Sequence, residues 1–324
     1  MKFTESIFSV YISVVKKVIL YLLLWVSSVY ATDYCSGYIK PATTDFFTLG
    51  PQTLKTAWNK SFSREALPAW GAIFASTAVL YYYDEKILLE LQRFGRRVGL
   101  GNDDHTKGML SIGDFNIFRG PTDAGSWMYF LGDGWMHTFI ATGFLATGAF
   151  TRDNRALQTG SQILHGMIYS TIPNQILKRS FGRESPYRRT TTRGKWRPFP
   201  SISTYNSNIS KYDAMPSGHI MTATMTWTVI DSNYPEYRWF IRPLAYTWVT
   251  LLGFQMVNNG VHWASDYPLG IGMGYLFGKI ATRYGHESLK QQQSNQPHWD
   301  FIPYSYTSNH MRDRLYGINI YFSF

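Results

Sequence analysis

Pro216-Ser217-Gly218-His219 is the stretch that most constrains this chain, because the polar turn opens directly onto the apolar run Ile220–Ile230. A run of that length and character reads as a buried helix, with Ser217 as its cap. The first backbone N–H groups of a helix have no intrahelical partner, so such a turn suits an anion. Gly218 lets a ligand approach the backbone closely, and Ser217 adds a hydroxyl. His219 supplies what a cap does not need, a side chain that gives or takes a proton near neutral pH. A phosphate fits these groups; a bland capped turn uses only the first of them.

Two further patterns answer to the turn. In Val261-His262-Trp263-Ala264-Ser265-Asp266, His262 and Asp266 are four apart and share a face if the segment is helical. Asp266 then accepts a hydrogen bond from the imidazole, fixes its tautomer and leaves the other nitrogen free to attack phosphorus. Upstream, Lys178-Arg179-Ser180-Phe181-Gly182-Arg183-Glu184-Ser185-Pro186 sits at the end of a helical run. Its basic side chains suit a phosphate clamp, and they equally complement the dipole of a helix C-terminus.

The rest of the chain supplies a frame for these segments. It has 324 residues, 45% of them hydrophobic and 17% aromatic, which is ample for a large core. The net charge of +10 favours anionic partners, either phosphorylated molecules or a phospholipid membrane surface. The basic residues are scattered and no recognition motif is present, which argues against nucleic acid. Lys16 and Lys17, the apolar run Val18–Val26 and the small residues Ser27–Ala31 have the layout of a signal peptide over residues 1–31, with an uncleaved anchor as the alternative. Either reading implies export to a bacterial periplasm or cell envelope. Cys35 is the one cysteine, so an internal disulfide or a cysteine metal cluster is excluded.

Residues 32–65 read as a loose lead-in and 286–324 as a tail, in which Leu315–Phe324 alternates like a strand. Between them, 66–285 reads as an all-α domain, a helical bundle of about six main helices. Their spans are Ala66–Tyr83, Gly125–Phe150, Ser161–Lys178, Ile220–Ile230, Trp239–Val257 and Tyr267–Tyr284. Most are interrupted by polar or flexible residues, such as Gly132-Asp133-Gly134, and the reading favours a soluble or peripherally attached exported domain over a polytopic one. His137 and His165 read as core histidines in hydrogen bonds, and Asp103-Asp104-His105 as a polar loop; no metal site is expected.

Lys178 with Ser185-Pro186, then Pro216–His219, then His262 with Asp266, resemble in order and spacing the three-part signature of the type 2 phosphatidic acid phosphatase superfamily. That superfamily also includes bacterial class A acid phosphatases and vanadium haloperoxidases. The resemblance implies an α-helical bundle whose motifs converge on one phosphate pocket. It further implies that His262 attacks phosphorus to form a phosphohistidine with Asp266 orienting it, and that His219 protonates the leaving oxygen and later activates water. Lys178, Ser217 and Gly218 would hold the phosphate, with no metal or other cofactor, and the expected substrate is a phosphomonoester or diphosphate, a lipid phosphate foremost. Two positions depart from the family pattern. Ser185 stands where the first motif has arginine, with Arg183 two residues earlier as the candidate replacement. Gln255-Met256 replaces a Ser-Arg pair, so a degenerate phosphatase-like binding or envelope protein and a vanadate-dependent haloperoxidase stay open as alternatives. Arg188, Arg189, Arg193, Arg197, Asn258 and Asn259 are the other candidates to compensate.

Overall fold

The helix that follows the Pro216–His219 turn forms as expected and lies at the centre of the protein. The computed structural model describes residues 37–112, 115–285, 298–307 and 314–323. After a single helical turn at Asp45–Thr48, the helices are α1 (Gly50–Ser61), α2 (Leu67–Arg97), α3 (Ala124–Phe130), α4 (Gly134–Thr151) and α5 (Asn154–Phe181). They continue with α6 (Ile202–Ser207), α7 (Gly218–Asn233), α8 (Arg238–Asn258) and α9 (Tyr267–Ala281). The protein is mainly helical, in agreement with the all-α expectation. The signal-peptide reading of residues 1–31 lies outside the described residues.

α7 is surrounded by α5, α8 and α9, and α4 packs on both α5 and α7. The α7–α9 approach is close because α9 presents glycine every fourth residue. A Cβ at Gly270 would stand 2.8 Å from the Ser217 carbonyl oxygen, and one at Gly278 would stand 2.7 Å from Thr228 Cβ. This packing seats the start of α9, and hence Asp266, directly on the turn that opens α7. One apolar cluster, including Met225, Val229, Ile163 and Phe277, joins α5, α7 and α9. Another, formed by Leu88, Ala214, Val257 and Trp263, lies beside the segments carrying the motifs.

Several expectations change. The Gly125–Phe150 stretch is two helices, broken at Leu131–Asp133, where Asp133 caps α4 through the N–H of Trp135. The helix expected to stop at Tyr83 runs on to Arg97, because Asp84 within it faces inward at 1% exposure. The lead-in is not loose from Tyr38 onward. Ile39 N–H donates to the Gly285 carbonyl, Gln158 donates to the Ile39 carbonyl, and Thr53 and Ala57 of α1 are buried against α5 and α9. Two antiparallel hairpins complete the fold. β1 (Thr106–Ile112) pairs with β2 (Phe115–Pro121), and the strand expected near the C-terminus, β4 (Arg314–Ser323), pairs along its length with β3 (His298–Thr307).

Among the described residues no helix is long and apolar enough to cross a membrane. The outer surface is nevertheless rich in apolar groups: Phe74 and Tyr82 on α2, Phe150 on α4, Trp239 and Tyr246 on α8, and the stripe Ile168, Ile172, Ile176 on α5 are all exposed.

Candidate active site

α5 has two faces. Opposite its exposed isoleucines, Ser170, Asn174 and Lys178 follow one another at intervals of four and are all buried, so one inner stripe leads to the helix C-terminus. Gly182 ends the helix at φ +56°, a left-handed position; a Cβ there would collide with the Arg197 carbonyl. The chain then runs extended. Glu184 N–H donates to the Lys195 carbonyl, and Ala214 N–H donates to the Arg183 carbonyl at 3.0 Å, fastening the first motif to the residues before Pro216.

The structure brings the expected residues together from three segments. Ser217 caps α7, its Oγ accepting from Ile220 N–H at 3.4 Å, and its own N–H donates to the Asp266 carbonyl at 3.2 Å. A Cβ built on Gly218 would stand 3.9 Å from Lys178 Cε, so the Lys178 side chain passes the mouth of the helix. The His219 and His262 rings face each other at a centroid distance of 5.9 Å, and Tyr129 of α3 lies against His219 at 5.2 Å. Lys178 Nζ is 3.5 Å from Asp213 Oδ2, a long ion pair.

His262 and Asp266 do not share an α-helical face. Asp266 is the last residue of a single 3₁₀ turn, Ala264–Asp266, and His262 lies two residues before that turn. His262 Nδ1 is 2.6 Å from the Ala214 carbonyl oxygen, and Asp266 Oδ2 is farther away, at 3.6 Å. The main-chain carbonyl therefore accepts a hydrogen bond from Nδ1–H and leaves the Nε2 lone pair free. Asp266 instead accepts from Trp263 N–H through Oδ2 and from Arg183 through Oδ1.

Arg183, the candidate replacement for the arginine missing at position 185, is engaged by buried acidic partners. Its guanidinium is fully buried and held by Asp84 at 2.7 Å, by Asp266 and by Ser265 Oγ at 2.7 Å. Ser265 in turn donates to Asp84. Burial pushes the Asp84 carboxyl up, opposed by Arg183 and by the hydrogen bond from Ser265. Most of the other candidates are also engaged. Arg197 pairs with Glu184, Arg189 approaches Glu85 at 3.7 Å, and Arg193 donates to the Tyr82 carbonyl. Asn258 donates to the Gly101 carbonyl, while Asn259 accepts from Gln255. Arg188 is exposed beside Tyr187. Met256 is buried in an apolar cluster with Ile220, Ala223 and Leu252.

Burial lowers the pKa of His219 well below the usual histidine range, and the neighbouring His262, Lys178 and His137 push in the same direction. The imidazole is thus neutral at neutral pH. His165 accepts the role expected of it, with Thr53 Oγ1 at 2.8 Å from Nε2. His137 does not: neither ring nitrogen makes an ordinary hydrogen bond, and a weak interaction with the Leu131 backbone offsets only part of the burial that pushes it down to about 4. His105 pairs with Asp123 at 2.8 Å, a local loop pairing.

Comparison with known families matches the stretch of chain that carries these residues. Residues 160–290 match the model of the PAP2 superfamily. The matched segment runs from within α5 to beyond α9 and so contains the residues of the three motifs, while Asp84 and Tyr129 come from outside it. A crystal structure described as the first transmembrane PAP2 type phosphatidylglycerolphosphate phosphatase from Bacillus subtilis is similar at 14% identity and a TM-score of 0.42. That similarity covers 78% of this chain and 98% of that one. A likeness of this degree gives the PAP2 segment neither a substrate nor a membrane topology. No curated protein matches the chain.

Two residues at the candidate site carry no side-chain signature in the sequence. The Ala214 carbonyl is main chain, and Asp84 lies 99 positions before Arg183 in an otherwise ordinary charged stretch.

Proposed function

We propose that the protein is a phosphatase that transfers a phosphoryl group from a phosphomonoester or diphosphate to His262 and then to water. The observation that carries this reading is the pairing of His262 Nδ1 with the Ala214 carbonyl, opposite His219 and at the open start of α7. The phosphate would sit on the Gly218 backbone, with the Ser217 hydroxyl and Lys178 as further donors and Lys178 leaving its long pair with Asp213 to do so. In the first step His262 Nε2 forms the N–P bond while the P–O bond to the leaving group breaks, and His219 gives its proton to the departing oxygen. In the second, His219 takes a proton from water, the water oxygen bonds phosphorus, the N–P bond breaks and inorganic phosphate departs. Asp266 supports this geometry by holding the turn and Arg183, and its nearby charge favours the cationic phosphohistidine.

An amphiphilic phosphate is the substrate class we favour. The exposed apolar residues on α2, α5 and α8 suit a lipid or membrane surface, and the net charge of +10 suits an anionic one. Export to the cell envelope is the matching setting for such a surface. Among the described residues, Lys178 is the cation that reaches Gly218, where the family pattern has more. This favours modest turnover over tight binding of vanadate, and a binding-only protein is the outcome that would replace the enzyme reading.

The test is phosphate release from a panel of lipid and soluble phosphates, with His262→Ala as control. Release from lipid phosphates that vanishes in the control supports the proposal. No release by a folded protein from any member of the panel would overturn it.

A further inference from the structure

We propose that Asn174 is a substrate-contacting residue of this site, its carboxamide donating to a phosphate oxygen beside Lys178 and the start of α7. The inference rests on the phosphatase reading and adds a donor that the three motifs do not contain. Asn174 is 2% exposed and lies one helical turn before Lys178 on the inner stripe of α5. A Cβ on Gly218 would stand 3.5 Å from Asn174 Oδ1, so the carboxamide lies at the same helix mouth as Lys178 Cε.

Its Nδ2 has no hydrogen-bond partner. Buried donors are almost always paired, and most other buried carboxamides among the described residues obey that rule. Gln158 donates to Ile39, Gln162 to Tyr284, Asn233 to Thr159 and Gln162, and both Gln255 and Asn258 to Gly101. Asn174 Nδ2 and Asn259 Nδ2 are left without acceptors, and Asn174 is the one that shares the inner stripe of α5 with Lys178, where an anion would supply the missing acceptor. A neutral donor there supplies some of the phosphate binding that the uncharged side chains of Ser185 and Met256 do not provide. It also adds no charge beside His219, whose proton-transfer role needs a pKa that is not lowered further.

The experiment compares wild type, Asn174→Ala, Asn174→Ser and Asn174→Asp for kcat, KM, inhibition by inorganic phosphate and thermal midpoint. We expect Asn174→Ala to weaken phosphate inhibition and lower kcat/KM by about ten- to a hundredfold, the effect typical of removing a donor to a charged acceptor, with a folded protein. Asn174→Ser should recover part of that activity. Asn174→Asp should be worst at neutral pH and improve as pH falls into the carboxylate range, a pH signature that a packing role would not produce. Phosphate inhibition and kcat/KM within twofold of wild type in Asn174→Ala, with wild type active, would overturn the assignment of Asn174 alone. A wild type that neither releases nor binds phosphate would overturn the underlying phosphatase reading and this inference together.

Discussion

His262 Nδ1 lies 2.6 Å from the Ala214 carbonyl oxygen and 3.6 Å from the Asp266 carboxylate, so a main-chain group fixes the tautomer of the candidate nucleophile. The carbonyl is itself held in place, since Ala214 N–H donates to Arg183 and the residue is fully buried. Asp266→Asn should therefore leave the Nδ1–H tautomer of His262 unchanged in nitrogen NMR of the imidazole, although the Arg183 pair is weakened. A switch of the proton to Nε2 in that variant would show that the carboxylate, not Ala214, sets the tautomer.

Arg183 bridges two carboxylates with no solvent exposure at any of the three groups. Its removal leaves Asp84 and Asp266 buried and facing each other without a counter-cation. Arg183→Ala should lower the unfolding free energy by about 3–5 kcal/mol in chemical denaturation. Arg183→Lys should fall in between, because a point charge cannot satisfy both partners as a planar fork does. Wild-type stability in Arg183→Ala combined with a weakened affinity for phosphate would instead place the guanidinium in the cradle.

The motif residues are legible in the sequence because each carries a local signal. Ser217 caps, Gly218 opens a helix, and His262 and Asp266 are close along the chain; those signals specify the turn and the proximity correctly. The inward direction of Arg183 is not legible, because nearness to position 185 says nothing about where a side chain points. Its guanidinium is directed onto Asp84, Ser265 and Asp266. Asp84 cannot be linked to Arg183 from pattern, because nothing local marks which residue of a charged stretch faces a core. The break between α3 and α4 is visible as Gly132-Asp133-Gly134 within a longer apolar stretch, yet the period of the flanking residues does not distinguish a break from a flexible turn within one helix.

The lowered pKa of His219 makes a prediction about pH. A general acid must be protonated, so in the free enzyme the active form grows as pH falls below the ordinary histidine range, and kcat/KM should rise towards acid pH. A bound phosphate dianion raises the pKa, which should move the corresponding limb of kcat to higher pH than that of kcat/KM. His219→Gln should lose the limb, and an aryl phosphate whose leaving group needs no proton should show it weakly. An unchanged limb in His219→Gln would assign the proton to another group.

His137 couples stability to pH. Its folded pKa of about 4 lies below the unfolded value near 6.5, so between these limits the unfolded chain binds the proton that the folded chain refuses. Stability should be full above about pH 6.5 and decline as pH falls towards 4, by about 3 kcal/mol from this residue. His165, also pushed down to about 4 by burial, acts in the same direction. Urea unfolding at pH 7 and pH 5 should show a smaller pH dependence in His137→Leu than in wild type; an equal dependence would contradict the assignment.

The central claim is a covalent phosphoryl group on His262, and trapping it is the most direct measurement. His219→Gln, given an aryl phosphate, should complete the first step and stall before the second, because the leaving group needs no acid whereas water needs a base. Quenching under alkaline conditions, which preserve phosphohistidine, followed by peptide mass spectrometry should find one phosphoryl group on His262 and none in a His262→Ala, His219→Gln double variant. Phosphate release by wild type that persists in His262→Ala, or a phosphoryl group found on a different residue, would contradict the account.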